Sequence, residues 1–283
     1  MKIRIGTRAS QLALAQTALV ETALQKAGAE TEIICISTRG DKIQQQSLAE
    51  ISRSQTGVFV SEIEKALLQN QIDIAVHSAK DLPVKLADGL EIGAVLKRGN
   101  YHDVLVTNQN HDSLHTVGTG SLRRRLFFWK LYPDTDFRDI RGNIDTRLQK
   151  LRNHDYDGII LAAAGLERLH LLGHPDFRFQ LFNISQMIPA ACQGIIAVEN
   201  RKHDSLHFLL KEITDTETKY CFETERHVLT LLCGDCSIPV SALAQVRNHQ
   251  MELTVTKDCQ NIQKKTALLE ERFHLAEELI QNL

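Results

Sequence analysis

The sequence predicts an α/β protein of two doubly wound domains followed by a small α+β C-terminal domain. Three observations lead there. Short Ile- and Val-rich runs alternate with helix-spaced apolar residues as far as about residue 213, the order that builds sheets flanked by helices. That alternation restarts near residue 97 and changes character after residue 213. Finally, 283 residues at 43% hydrophobic and 24% charged suffice for two or three soluble domains, each with its own core.

The same composition narrows the function. A net charge of −2 argues against a nucleic-acid partner, so an anion site must be a local gathering of Arg and Lys. No run approaches the ~18 apolar residues of a membrane span, and the N-terminus lacks an apolar leader, so no membrane partner and a cytoplasmic location are expected. Six cysteines are too sparse for a disulfide scaffold.

Lys2-Ile-Arg-Ile-Gly-Thr7 alternates as a strand, and the periodic segment 12–27 reads as a helix ending at Gly28. Ser10 is placed to cap that helix. With Arg8 it makes either a carboxylate or phosphate cradle or a plain capped turn. Segment 32–37 is a second strand, and the polar stretch 42–56 after Thr38-Arg39-Gly40-Asp41 reads as a long, partly mobile loop over the site, with a disordered insertion as the plain alternative. Helical spacing returns over 58–68. The buried strand 72–76 then opens into His77-Ser78-Ala79-Lys80-Asp81-Leu82-Pro83. Ligands of open parallel sheets sit beyond the carboxyl ends of the strands, so Ser78, Lys80 and Asp81 would stand at a site mouth, with Asp81 its carboxylate. A turn-capping Asp beside a surface Lys is the plain alternative.

In the second domain, 104–107 is a strand, and Thr116-Val-Gly-Thr-Gly-Ser-Leu-Arg-Arg-Arg125 is a strand entering a Gly-rich turn that opens a helix. Gly118 and Gly120 let the backbone approach a ligand, Thr119 and Ser121 can cap and donate, and Arg123, Arg124 and Arg125 supply forked donors for carboxylates. Neither the phosphate-loop nor the dinucleotide pattern fits. Phe137-Arg-Asp-Ile-Arg141-Gly142-Asn143 repeats the arrangement before a helix with Arg147, and strand 157–161 leads to Arg168. Arginines at three successive strand-to-helix junctions favour a polyanionic ligand over a scattered solvated charge. Ile188-Pro-Ala-Ala-Cys-Gln193-Gly194 leads into a strand at 195–198 that can return to the first sheet. The division is then 1–96 together with 191–213, followed by 97–190 and 214–283.

The last domain reads as helix 220–232, strands 240–246 and 251–256, and a closing helix 268–280. Between its first helix and strand lies Cys233-Gly234-Asp235-Cys236-Ser237. This pair can be a redox couple, half of a zinc site, inert loop cysteines, or a thiolate that holds a group covalently. No second Cys-x-x-Cys is present, and the pair follows a helix instead of opening one, which argues against the first two.

Taken together and in order, Arg8-x-Ser10, Thr38-Arg39-Gly40-Asp41, His77-Ser-x-Lys-Asp81-x-Pro83, Ser121-Leu-Arg-Arg124, Arg141-Gly-Asn-x-x-Thr146-Arg147, Ala164-Gly-Leu-x-Arg168, Gln193-Gly194 and the Cys236 loop resemble the porphobilinogen deaminase (hydroxymethylbilane synthase) family over nearly the whole chain. The resemblance implies two domains like type II periplasmic binding proteins plus a third, and a cytoplasmic monomer of tetrapyrrole biosynthesis. It implies that four porphobilinogen molecules are condensed with release of ammonia on a dipyrromethane primer. The primer would be joined by a thioether to Cys236, with no metal. Asp81 matches the catalytic aspartate. Arg8, Ser10, Gln16, Arg141 and Gln193 match substrate-binding positions. Ser78, Lys80, Thr119, Ser121, Arg123, Arg124, Arg147 and Arg168 match those that grip the primer or growing chain.

The chain departs from the family pattern at Thr56 and Ser61, where basic residues are usual, at Asp235 and Ser237 beside the cysteine, at Cys192, where Gly is common, and at Gly120, where Ser is usual. Weaker substrate binding follows as an expectation. A non-catalytic binder of a polycarboxylate is the alternative from another class.

Overall fold

The computed structural model describes residues 2–37, 60–109, 114–232 and 239–283. The loop expected at 42–56, the Thr38-Arg39-Gly40-Asp41 segment, Thr56 and the Cys233 to Ser237 turn lie outside these residues. The chain divides into two compact units, Met1–Arg98 with Ile195–Phe222 and Gly99–Gly194 with Glu223–Leu283.

The first unit is built on β1 (Lys2–Thr7), β2 (Glu30–Cys35), β3 (Ile74–Ser78), β4 (Leu90–Val95) and, returning late in the chain, β10 (Ile196–Arg201), in the order β2-β1-β3-β10-β4. β1 runs parallel to β2 and β3, while β10 is antiparallel to β3 and β4. Helix α1 (Gln11–Lys26) buries Val20 and Leu24 one turn apart against Ile3, Ile5, Ile74, Val76, Ile196 and Val198. On the opposite face, α2 (Ser61–Leu68) lays Ile63 and Leu67 on Ile72, Ala75 and Leu90. Covered on both faces, β3 is apolar at three consecutive positions, Ile74, Ala75 and Val76. Each fully buried Ile or Leu here contributes about 1.5–3 kcal/mol.

The second unit repeats the plan with β5 (Asp103–Asn108), β6 (Thr116–Gly118), β7 (Asp136–Arg138), β8 (Gly158–Ala162) and β9 (Phe177–Leu181), in the order β7-β6-β8-β5-β9. β6 is parallel to β7 and β8, and β5 is antiparallel to β8 and β9. The antiparallel strand occupies the same place in each sheet. In one it is the returning strand, in the other the entering one. These are the two expected doubly wound domains. Helices α3 (Leu122–Leu131), α4 (Ile144–Arg152) and α5 (Ala163–Arg168) follow β6, β7 and β8. Their cores are Phe127, Phe128, Val117 and Phe182 on one side, and Leu148, Leu151, Leu166, Val104 and Val106 on the other.

After α6 (His207–Glu212) and α7 (Thr216–Leu232), an antiparallel meander of β11 (Ser241–Arg247), β12 (Gln250–Thr256) and β13 (Gln263–Leu268) is backed by α8 (Arg272–Gln281). This is the expected α+β region, with one more strand than the sequence suggested. β13 (QKKTAL) carries two lysines and no alternating apolar face, so its pattern did not announce a strand. β4 and β9 were likewise not foreseen.

Candidate active site

In the first unit, β3 ends at Ser78 and passes into a 3-10 turn, Ala79–Asp81. Ala79 anchors the turn by donating its N–H to the carbonyl of Ile195 at 3.0 Å. Lys80 and Asp81 are exposed on the turn, so the carboxylate is open to a ligand. Ser78 is half-buried, and its Oγ lies 2.9 Å from Nε2 and 3.1 Å from Oε1 of Gln16. Gln16, buried on α1, therefore ties the helix to the end of β3. Ser10 caps α1 by accepting from the Ala13 N–H at 3.3 Å, and Arg8 stands half-buried between β1 and that cap.

In the second unit, the parallel run β7-β6-β8 brings its three strand-to-helix junctions to one edge of the sheet. Thr119 is buried there. Its N–H donates to Arg138 O at 3.0 Å, its Oγ1 accepts from Ser121 N–H at 3.2 Å, and its carbonyl accepts from Arg125. Ser121 caps α3 by accepting from the Arg124 N–H. Arg125 also pairs with Asp139. At the next junction Gly142 has φ +114°, a conformation open to glycine, and its carbonyl accepts from Arg147 Nε at 2.8 Å. Asn143 caps α4, and Arg141 is exposed beside it.

Arg123 and Arg124 are buried, not displayed. Both reach Asp103, the first residue of β5, which has no exposed surface. Arg123 Nη1 donates to Oδ2 at 2.7 Å; Arg124 Nε and Nη2 lie 2.9 and 2.8 Å from Oδ1. Gln193 Nε2 joins at 3.2 Å from Oδ1 and donates to Tyr101 O at 2.8 Å. Gln193 is thus buried behind the arginines. Arg168 donates from Nη2 to Gly194 O at 2.6 Å, and burial draws its pKa down to about 10. It stays cationic at neutral pH, and a ligand carboxylate would offset its lost hydration.

Sequence reasoning missed Asp103. The available signal was a lone acid opening the apolar run Asp103-Val-Leu-Val, since a carboxylate at the head of a buried strand needs a cationic partner. It also missed a buried contact between His77 Nε2 and Glu199 Oε2 at 3.0 Å, placed on β3 and β10.

Neither of two departures is required by its surroundings. Cys192 has φ +61°, where glycine is least strained, and its N–H donates to Glu225 Oε2 at 2.5 Å. At Gly120 an added Cβ would find its nearest neighbour, Ile140 O, 3.9 Å away, so the usual serine would fit. Ser61 is exposed at the first position of α2 and donates to Glu62. Among the described residues no group of His, Cys, Asp and Glu is arranged to hold a metal, and no helix is long and apolar enough to cross a membrane. Cys259 is buried, which raises its pKa to about 11, a thiol unsuited to nucleophilic work at neutral pH.

Residues 3–207 match the family model described as porphobilinogen deaminase, dipyromethane cofactor binding domain. The chain belongs to the porphobilinogen deaminase family. A probable porphobilinogen deaminase of Methanocaldococcus jannaschii is 43% identical over 260 residues, covering 90% of this chain and 86% of that protein. The porphobilinogen deaminase of Streptococcus sanguinis is 39% identical over 267 residues, covering 90% and 87%. Among solved structures, the BvgS periplasmic VFT2 domain of Bordetella pertussis is similar at a TM-score of 0.44 and 12% identity, over 78% of this chain and 92% of that one. An ancestral arginine-binding protein bound to glutamine is similar at 0.39 and 14%, over 80% and 92%.

Proposed function

We propose that this member of the porphobilinogen deaminase family is an active enzyme. It condenses four porphobilinogen molecules head to tail into a linear tetrapyrrole, with one ammonia released at each step, on a dipyrromethane primer bound to Cys236. The observation that carries this reading is the delivery of arginines from three adjacent parallel strand ends to one sheet edge. Each pyrrole ring brings an acetate and a propionate, and guanidinium forks bind carboxylates bidentately. The donor set therefore fits a primer of two such rings. When bound, the primer supplies the pyrrole carbon to which the first substrate is joined.

The chain's own residues divide the remaining work. Ser78, Lys80, Thr119, Ser121, Arg123, Arg124, Arg147 and Arg168 hold the primer and the lengthening chain. Arg8, Ser10 and Arg141 hold the carboxylates of the incoming substrate, while Gln16 and Gln193, both buried, act through Ser78 and Asp103. Asp81, exposed on its turn, moves protons at the reacting pyrroles and balances the positive charge that develops as the amine departs. The proposal includes three domains (1–96 with 191–213, 97–190, and 214–283), a monomeric state, a cytoplasmic location, and no nucleic-acid or membrane partner.

Intact mass under denaturing conditions tests it, with a Cys236→Ser variant beside the parent. The parent should carry the extra mass of two linked pyrrole units, absent from the variant, and should release ammonia when given porphobilinogen. A parent that carries no such mass and releases no ammonia overturns the reading.

A further inference from the structure

We propose that Asp103 is a positioning residue of this enzyme, setting the planes of Arg123 and Arg124 so that both guanidinium groups meet the carboxylates of the primer. The inference rests on the reading that these two arginines hold the primer.

The register of the sheet makes the arrangement. β5 is antiparallel to β8, and Asp103 pairs with Ala162, so the first residue of β5 lies at the edge where β8 ends. β6, on the other side of β8, ends at the same edge, and its turn opens α3. Arg123 and Arg124 in the first turn of α3 therefore come within reach of one carboxylate. Each arginine has a second anchor. Arg123 Nη1 donates to Ile188 O at 2.7 Å, and Arg124 Nη1 donates to Ile160 O, on β8, at 2.8 Å. A planar guanidinium held at two points has its orientation fixed, so the direction of its other N–H bonds is fixed as well. Gln193, by donating to Oδ1 of Asp103 and to Tyr101 O, holds the carboxylate in turn.

A purely structural role accounts poorly for this cluster. Seating two guanidinium groups against one buried carboxylate is more than keeping α3 in place requires, since leucines would pack there without the desolvation cost. The cluster is understandable where the arginines must be aimed, because bidentate recognition of a carboxylate depends on angle as much as on charge. A salt bridge needed only for neutrality would tolerate a shift of the carboxylate by one methylene. One that aims a fork would not.

The test uses the full chain as the parent, Asp103→Asn and Asp103→Glu. Each protein is melted, then followed by intact mass as it takes up primer from porphobilinogen, and KM and kcat are measured on the loaded fraction. The Asn variant removes the charge; the Glu variant keeps the charge and moves it. We expect Asp103→Asn to load primer at least tenfold more slowly. Asp103→Glu should melt close to the parent, yet load more slowly and show a raised KM. A folded Asn variant that loads at the parent's rate overturns the proposal. If the Asn variant does not fold, parent-like loading and KM in the Glu variant overturn it, and failure of both variants to fold assigns Asp103 a structural role alone. A parent that takes up no primer removes the underlying reading instead, and the proposal with it. Where the parent loads, the two variants decide the role of Asp103 by themselves.

Discussion

Each of the two sheets has an antiparallel strand inserted beside its third parallel strand, and each of those strands carries a carboxylate with no exposed surface: Glu199 on β10 and Asp103 on β5. Register separates their roles. Glu199 pairs with Ala75, three residues before the end of β3, and its contact is with His77. Asp103 pairs with Ala162, the last residue of β8, and serves two arginines at the edge where the strands end. The same device is an internal strut in one sheet and an edge fixture in the other. The environments differ too. Near Glu199, Glu64 sits above its ordinary range, first because of burial and then because of Glu199 itself, although the Ala87 N–H that it accepts pulls the other way. The first unit thus gathers acid, and displays its one proposed catalytic carboxylate, Asp81, on an exposed turn. The second gathers guanidinium groups and buries two of them, Arg123 and Arg124.

The largest effect that can break this contrast is at the exposed carboxylate. Asp81→Asn should lower turnover by about 10²–10⁴-fold, the range for loss of a proton-transferring group, and leave the melting temperature unchanged because the side chain is exposed. Undiminished turnover, measured as ammonia released from porphobilinogen, would remove Asp81 from the mechanism. A smaller effect is expected at Glu199. Glu199→Gln keeps the shape and changes one buried oxygen to an NH2 group. Because Oε1 has no hydrogen-bond partner among the described residues, stability in urea should fall by about 1–3 kcal/mol. Primer loading should stay near the parent's rate. If Glu199→Gln slows loading as much as Asp103→Asn, the distinction between strut and edge fixture is wrong.

Much of this was legible in the sequence because period and punctuation agree along most of the chain. β3 and β8 are apolar runs that end in polar turns, Ser10, Ser121 and Asn143 are helix caps that stand where caps belong, and Gly28 follows α1 with φ +85°. The three arginine junctions could be placed on one edge from parallel connectivity alone. Hidden features were those that depend on pairing between distant segments. That Asp103 meets Arg123 and Arg124 follows from β5 running antiparallel beside β8, and no local pattern encodes that register. Gln16 and Gln193 match ligand-binding positions of the family, yet their side chains are spent inside the protein, because burial is set by tertiary packing and not by a motif. β13 escaped for the opposite reason: its pairing with β12 holds a segment whose own side chains point to solvent on most positions.

The smallest effect concerns the end of β3 remote from Asp81, where a partly exposed ion pair offers the counterpart to the buried Asp103 cluster. Arg4 Nε lies 3.0 Å from Oδ2 of Asp73, Nη2 lies 2.7 Å from Oδ1, and the Arg4 backbone N–H also donates to Asp73 at 2.9 Å. Burial alone would raise the pKa of Asp73, but these hydrogen bonds outweigh it, and the carboxyl is held below its ordinary value with Arg201 adding its charge. A carboxyl whose pKa is depressed on folding contributes stability in full above its unfolded value, near about 4, and loses it as pH falls through the folded value. Arg4→Met should therefore lower stability at pH 7 only slightly, because solvent screens the pair where Arg4 is exposed, and its difference from the parent should shrink as the pH drops below about 4. Urea midpoints of the two proteins across that range check this. A difference that stays constant from neutral to acid pH would mean that Arg4 stabilises the unit by packing its methylenes, not by its charge. The contrast would then narrow to one between a charged cluster at the ligand edge and an apolar clasp at the other.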